Sequence, residues 1–170
     1  MELNLQNFLC FLLCVATIEP SLCPSKWKKI NDKCIYIGPP ERNFEQNEVA
    51  CAEMAANMIT FESGSDYNEF SSLIPEGQQI YTAAKRVSVA NGIPSYLWNG
   101  KKSETWLKWS KTNPNDVSLP SANCLTLFSD GYLYDSLCDF LFPTACQINL
   151  LENVFSNITS LEAIQNKGIN

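Results

Sequence analysis

The sequence predicts an α+β domain in which two helices pack on antiparallel sheets beside a long loop region, the whole tied by three disulfides. Three observations lead there. An 11-residue apolar run from Phe8 to Ile18 has the form of a secretory signal, which sends the rest of the chain to a compartment where disulfides persist. Six of the eight cysteines, Cys23, Cys34, Cys51, Cys124, Cys138 and Cys146, lie beyond that run, and an even number is what a closed set of bridges requires. The remaining order is hairpin, two helical segments, then short β-rich runs, an arrangement that sets helices against an antiparallel sheet.

The leader comes first. The apolar run is too short to cross a hydrocarbon core, which takes about 20 helical residues. Its head, MELNLQN, lacks Lys and Arg, so the α-amino group alone supplies the positive end, and a buried N-terminal helix is the competing reading. Cys14 and Ala16 set small residues before a cleavage point after Ala16. The organisation read from this is a signal and short leader at 1–22, one domain at 23–147 and a tail at 148–170.

Between Cys23 and Cys34, the turn residues Asn31 and Asp32 separate two extended arms, a small hairpin. Lys26, Lys28 and Lys29 read as its solvated edge, with a polyanion patch as the alternative. Asn43 with Gln46 three residues later starts a capped helix, and Phe44, Cys51, Met54, Ala55 and Met58 continue at helical spacing. Ser63 with Asp66 opens a second helix presenting Phe70, Leu73 and Ile74, with Pro75 as its stop. The runs QIYTA, SYLW, CLTLF and TACQI then read as strands, and the stretch from Leu97 to Asn123 as a loop long enough to bind something. In the tail, Leu151, Val154, Phe155, Ile158, Leu161 and Ile164 make an amphipathic helical pattern. It reads as docking on its own domain, fraying in solvent, or serving as a partner-binding or oligomerising stalk.

Composition excludes several function classes. The net charge of −6 and pI near 4.6 repel phosphate backbones, so nucleic acid is not the expected partner. Histidine is absent, which removes imidazole bases, Ser-His and Cys-His pairs and His-ligated zinc. Beyond the leader no apolar run reaches membrane length, so no transmembrane anchor is expected. Asn157-Ile158-Thr159 is a glycosylation sequon on the tail.

A set of residues then occurs in a telling order: Cys23-Pro24 with Trp27; Cys34 with Tyr36; Cys51 on a helix; Trp98-Asn99-Gly100; Trp109 followed four residues later by Asn113-Pro114-Asn115; and Cys124, Gly131, Asp135, Cys138 and Cys146-Gln147. From Cys23 to Gln147 the chain resembles the C-type lectin-like domain family in its long form. The resemblance implies that fold and the bridges Cys23 to Cys34, Cys51 to Cys146 and Cys124 to Cys138, whereas six cysteines alone permit 15 connectivities. The 95-residue separation of Cys51 and Cys146 makes that implied bridge worth about 4.7 kcal/mol of chain entropy.

The resemblance also implies a calcium ion that ligates sugar hydroxyls in the glycan-binding members. The matching positions are Asn113, Asn115, Ser121 or Ala122, Tyr134 and Asp135. Asn115 and Asp135 match as metal ligands. Asn113 offers an amide oxygen without charge, Ser121 and Ala122 bring no carboxylate, Tyr134 replaces an Asn, and Asp116 is the one nearby substitute. A weak, unoccupied calcium site and no obligatory cofactor are therefore expected. Ligand contact falls to Asn113, Pro114, Asn115, Asp135 and Trp109. Trp98, Trp106 and Trp109 read either as a stacking platform for sugar rings or as core. The function expected is a secreted, extracellular binding protein for glycan; the alternative is an extracellular protein ligand bound without sugar or calcium. A glycosidase pair among Asp130, Asp135 and Asp139 has no supporting motif, and no enzyme activity is expected.

Overall fold

The computed structural model describes residues 23–91, 93–98, 101–102, 107–115 and 122–150. The leader, Trp106, Asp116, Ser121 and residues 151–170 of the tail, with Asn157 and the amphipathic pattern, lie outside the described residues.

Strands β1 (Lys28–Ile30) and β2 (Lys33–Arg42) form the expected hairpin, with Lys29 opposite Cys34. Asn31 turns the chain at φ +50°, a left-handed conformation that Asn tolerates better than most residues. The Cys23–Cys34 disulfide fastens the incoming arm to it.

Helix α1 (Phe44–Glu53) starts on a full capping box, the Gln46 N–H donating to Asn43 Oδ1 at 2.9 Å and the Asn43 N–H to Gln46 Oε1 at 3.3 Å. Its inner face carries Phe44, Asn47, Ala50 and Cys51. Asn47 exchanges two hydrogen bonds with the backbone of Ala145, 3.2 and 2.9 Å long, beside the Cys51–Cys146 bridge. The helix does not follow the apolar spacing out to Met58. Met54 caps it, Ala55 adopts φ +53°, and Met58 sits in the short strand β3 (Asn57–Met58) opposite Cys146, so pairing with a distant strand overrides the local period.

Helix α2 (Gly64–Ser71) is capped by Ser63, whose Oγ accepts the Asp66 N–H at 3.1 Å. It ends before Pro75 acts: Ser71 and Ser72 hydroxyls donate back to the carbonyls of Asn68 and Glu69 at 2.9 and 2.6 Å, local bonds that compete with the helical ladder.

The remaining strands are β4 (Gln79–Ala90), β5 (Ile93–Trp98), β6 (Lys101–Lys102), β7 (Cys124–Phe128), β8 (Leu133–Ser136) and β9 (Phe142–Asn149). Two antiparallel sheets result, ordered β1-β2-β9-β3 and β6-β5-β4-β7-β8. They meet where the Ala83 N–H donates to the Ile59 carbonyl at 2.7 Å. Phe61 anchors one core cluster, its ring edge-on to Tyr67, Phe70 and Trp98 at 5.1 to 5.4 Å. Trp98 is therefore core. The second cluster gathers Phe44 and Tyr81 around the Cys51–Cys146 bridge. The Cys124–Cys138 disulfide closes the β7–β8 region, completing the pairing that the resemblance implies.

One charged pair is buried between the layers. Lys33, 3% exposed, places Nζ 2.6 Å from Asp66 Oδ2, with Glu62 Oε1 at 3.7 Å and the Thr60 carbonyl at 3.4 Å. It joins β2 to the first turn of α2.

Candidate functional site

Residues 107–115 come back from the long loop and run beside β8. Leu133 donates its N–H to the Lys108 carbonyl at 2.8 Å, and the Ser110 N–H donates to the Leu133 carbonyl at 3.0 Å. Trp109 thereby forms a bridge to Leu133. Its ring is half-buried, 5.4 Å from that of the buried Tyr96, so Trp109 packs against the core and is only partly open to solvent.

Beyond Trp109 the chain turns, the Asn113 N–H donating to the Ser110 carbonyl at 2.9 Å, and the Asn113–Pro114 peptide bond is cis. The Asn115 N–H then donates to Asp135 Oδ1 at 3.0 Å. Asp135 is 5% exposed, because on β8 it alternates with the half-buried Tyr134 and shares the inward face with Leu133. The carboxylate reaches the loop from below. Asn115 is exposed above it, with Asn113 and Pro114 half-buried. Of the five residues expected to contact ligand, the structure brings Asn113, Pro114, Asn115 and Asp135 together and sets Trp109 at the base of the same segment.

Tyr134 is engaged elsewhere. Its hydroxyl donates to Asp130 Oδ2 at 3.1 Å and its ring lies 6.0 Å from Phe128, at the β7–β8 turn. Asp130 also accepts the Tyr132 N–H at 2.9 Å, and Gly131 takes φ +79°, the left-handed value that glycine reaches without steric cost. The Gly131 carbonyl accepts from the Tyr67 hydroxyl at 2.6 Å, tying this turn to α2. Burial, helped by the charge of Asp130, pushes the Tyr67 phenol well above its ordinary value.

Sequence reasoning missed the pairing of segment 107–110 with β8. The signal available was the apolar-polar alternation of Leu107, Lys108, Trp109 and Ser110, too short to stand out within a loop.

No family model matches the chain. Over 130 residues it is 22% identical to the human protein C-type lectin domain family 6 member A, covering 75% of this chain and 61% of that relative. Among solved structures, the carbohydrate-recognition domain of the mouse scavenger receptor C-type lectin superposes with a TM-score of 0.67 at 18% identity, over 75% of this chain and 98% of that one. The chain has the C-type lectin-like fold. A calcium-independent type II antifreeze protein shares the fold as well, with a TM-score of 0.61 at 17% identity over 75% of this chain and 95% of that one. Proteins similar to this lectin-like domain thus include both lectins and antifreeze proteins.

The lectin-like fold raises the question of calcium, and the donor chemistry answers it for the residues in view. Calcium takes 6–8 oxygen ligands and its affinity follows their charge. Here Asp135 is the one carboxylate beside the loop among the described ligand positions, and one of its oxygens accepts the Asn115 N–H. Asn113 and Asn115 are neutral, Ala122 is fully buried without a donor, and Tyr134 is turned to Asp130. No group of three or more acidic or thiol side chains gathers as a cation site among the described residues. This donor set does not fit the ion.

Proposed function

We propose that this lectin-like domain is an extracellular binding protein that takes a glycan at the 113–115 loop by hydrogen bonds, without obligatory calcium. The observation that carries the reading is the bond from the Asn115 N–H to the buried Asp135 carboxylate. It gives the loop a fixed base made of protein and leaves the Asn113 and Asn115 amides, each a donor and an acceptor, for sugar hydroxyls. The solvent-open part of the half-buried Trp109 adds apolar surface beside the loop. Similarity to a carbohydrate-recognition domain and to a calcium-independent antifreeze protein supports the two halves of the proposal. Three disulfides support secretion, since such bridges persist in oxidising compartments, and no helix among the described residues is long and apolar enough to cross a membrane.

A protein ligand is the second reading. Beyond Arg86 the strand β4 pairs with β5 alone among the described residues, and Val87, at the register shift, and Val89 are 55% and 45% exposed. Such a pair suits apolar contact with a protein.

A glycan array probed in calcium and again in EDTA tests the proposal. The expected result is the same set of sugars in both, lost in Asn113→Ala and Asn115→Ala. Binding seen only in calcium overturns the metal-free site, and an empty array in both conditions favours the protein ligand.

A further inference from the structure

Two opposite charge clusters sit at the two ends of β2, and neither belongs to the loop site. At one end, the edge strand β1 and the turn before it expose Lys26, Lys28 and Lys29 around the half-buried Trp27. At the other, past the irregularity between Gly38 and Glu41, a groove of about 570 Å³ opens between the end of β2 and helix α1. Glu41, Glu45 and Glu53 rim it, and Val49, 58% exposed, gives it an apolar wall. Arg42 is the one cation lining it, and its guanidinium is tied to Thr144 Oγ1 at 2.6 Å. No ion pair among the described residues engages Lys26, Lys28, Lys29, Glu41, Glu45 or Glu53.

We propose that the groove receives the β1 edge of a second copy of this chain, so that copies associate head to tail. Spacing supports the match. Glu45, Val49 and Glu53 lie at four-residue steps on one face of α1, spanning about 12 Å at 1.5 Å per residue. Opposite it, Lys28 and Lys29 stand on β1, and Lys26, at φ +73° in the turn that the Trp27 N–H closes onto the Pro24 carbonyl at 3.0 Å, adds a third charge beside them. The groove cannot take its own edge: β1 is paired to β2, the Cys23–Cys34 bridge holds the arm, and Lys33 and Glu41 lie opposite Asn149 and Pro143, about 20 Å apart along β9. Edge and groove are different surfaces, so the contact is heterologous and a row of copies continues until something ends it. The attraction is electrostatic between exposed groups and weakens with salt.

The test is sedimentation velocity on the full chain with its three disulfides intact, over a concentration series in low and high salt, about 20 and 500 mM NaCl. The sedimentation coefficient is expected to rise with concentration in low salt and to stay flat in high salt. Lys26→Glu/Lys28→Glu/Lys29→Glu and Glu41→Lys/Glu45→Lys/Glu53→Lys should each remain monomeric, and an equimolar mixture of the two should associate again, because the reversed charges match. A wild-type chain that stays monomeric in low salt overturns the proposal. If a synthetic KWKKI peptide then titrates the groove, its occupant is the basic segment of another protein. Association that survives in either triple variant also overturns it, and this arm reads correctly only for variants whose circular dichroism matches the wild type.

Discussion

Asp66→Asn should be among the most damaging single-atom-scale changes in the domain, and removing Lys33 as well should repair part of the damage. Lys33 is 3% exposed and Asp66 keeps its carboxylate 2.6 Å from the ammonium. With Asn at 66, the ammonium retains the Thr60 carbonyl at 3.4 Å and Glu62 at 3.7 Å, but the Glu62 side chain is 65% exposed and its charge is screened by solvent. Leaving a buried charge without its partner costs about 3–5 kcal/mol, which in a domain of this size lowers the melting temperature by about 10–15 °C. Lys33→Met is milder. It leaves Asp66 with the Glu62 N–H at 3.1 Å and a place in the first turn of α2, where the helix dipole favours an anion, so about 1–3 kcal/mol is expected. The double variant Lys33→Met/Asp66→Asn has no buried charge to strand and keeps an amide oxygen for the Glu62 N–H. It should therefore be more stable than Asp66→Asn alone, by about 2 kcal/mol. Urea denaturation of the four proteins with disulfides intact measures the cycle. A double variant no more stable than Asp66→Asn would refute the reasoning, because the penalty would then not come from an isolated lysine charge.

Three other outcomes are expected. Asp135→Asn retains an oxygen for the Asn115 N–H and should weaken glycan binding only a few-fold, whereas Asp135→Ala removes the base of the loop, costs about 1.5–3 kcal/mol in unfolding and abolishes binding; equal loss in both would point to the charge itself as the ligand contact. Adding 5 mM calcium should leave the melting curve within a degree or two of that in EDTA, while a site of about 50 μM would add about 2.7 kcal/mol, so a rise above about 5 °C would contradict the metal-free reading. Tyr67 and Tyr81 are both pushed above the usual tyrosine range, chiefly by burial, so their neutral forms stabilise the fold fully below about pH 10 and that contribution is lost as pH rises further. In Tyr67→Phe/Tyr81→Phe the fall in the denaturation midpoint above pH 10 should flatten, and an unchanged slope would assign alkaline unfolding to other groups.

Legibility in the sequence followed the range of the interaction concerned. Both helix starts could be read from Asn43 with Gln46 and Ser63 with Asp66, because a cap is made by residues three apart. The end of α1 could not, since Met58 is claimed by pairing with Cys146, 88 residues away. Asp66 was visible as a helix opener, but the lysine that neutralises it lies 33 residues upstream on another element. The bridges were implied by resemblance alone and the structure forms them; six cysteines by themselves had left the choice open. For the loop, the residue types at 113–115 and 135 were legible as a set. Their relation was not, because nothing local says that Asp135 accepts a backbone N–H twenty residues before it.

That relation bears on how a metal-poor loop keeps a binding shape. A calcium ion fixes a loop by drawing several carboxylates to one point, and where those carboxylates are missing some other term must offset the entropy of ordering it. Segment 107–115 has such terms in sequence: two backbone bonds to Leu133, the ring of Trp109 on Tyr96, the turn from Ser110 to Asn113, and last the charged bond at Asp135. Hydrogen bonds to a charged acceptor are worth about 1.5–3 kcal/mol, more than neutral ones. The strongest of these bonds therefore stands where the loop begins to leave the sheet. On the proposed reading, Asn115 presents its side chain to the ligand and its backbone to Asp135, so one residue both carries the contact and is held in place for it. Substitution of the Asn115 side chain should then remove ligand contact while leaving the loop anchored, and Asp135→Ala should remove the contact by releasing the loop.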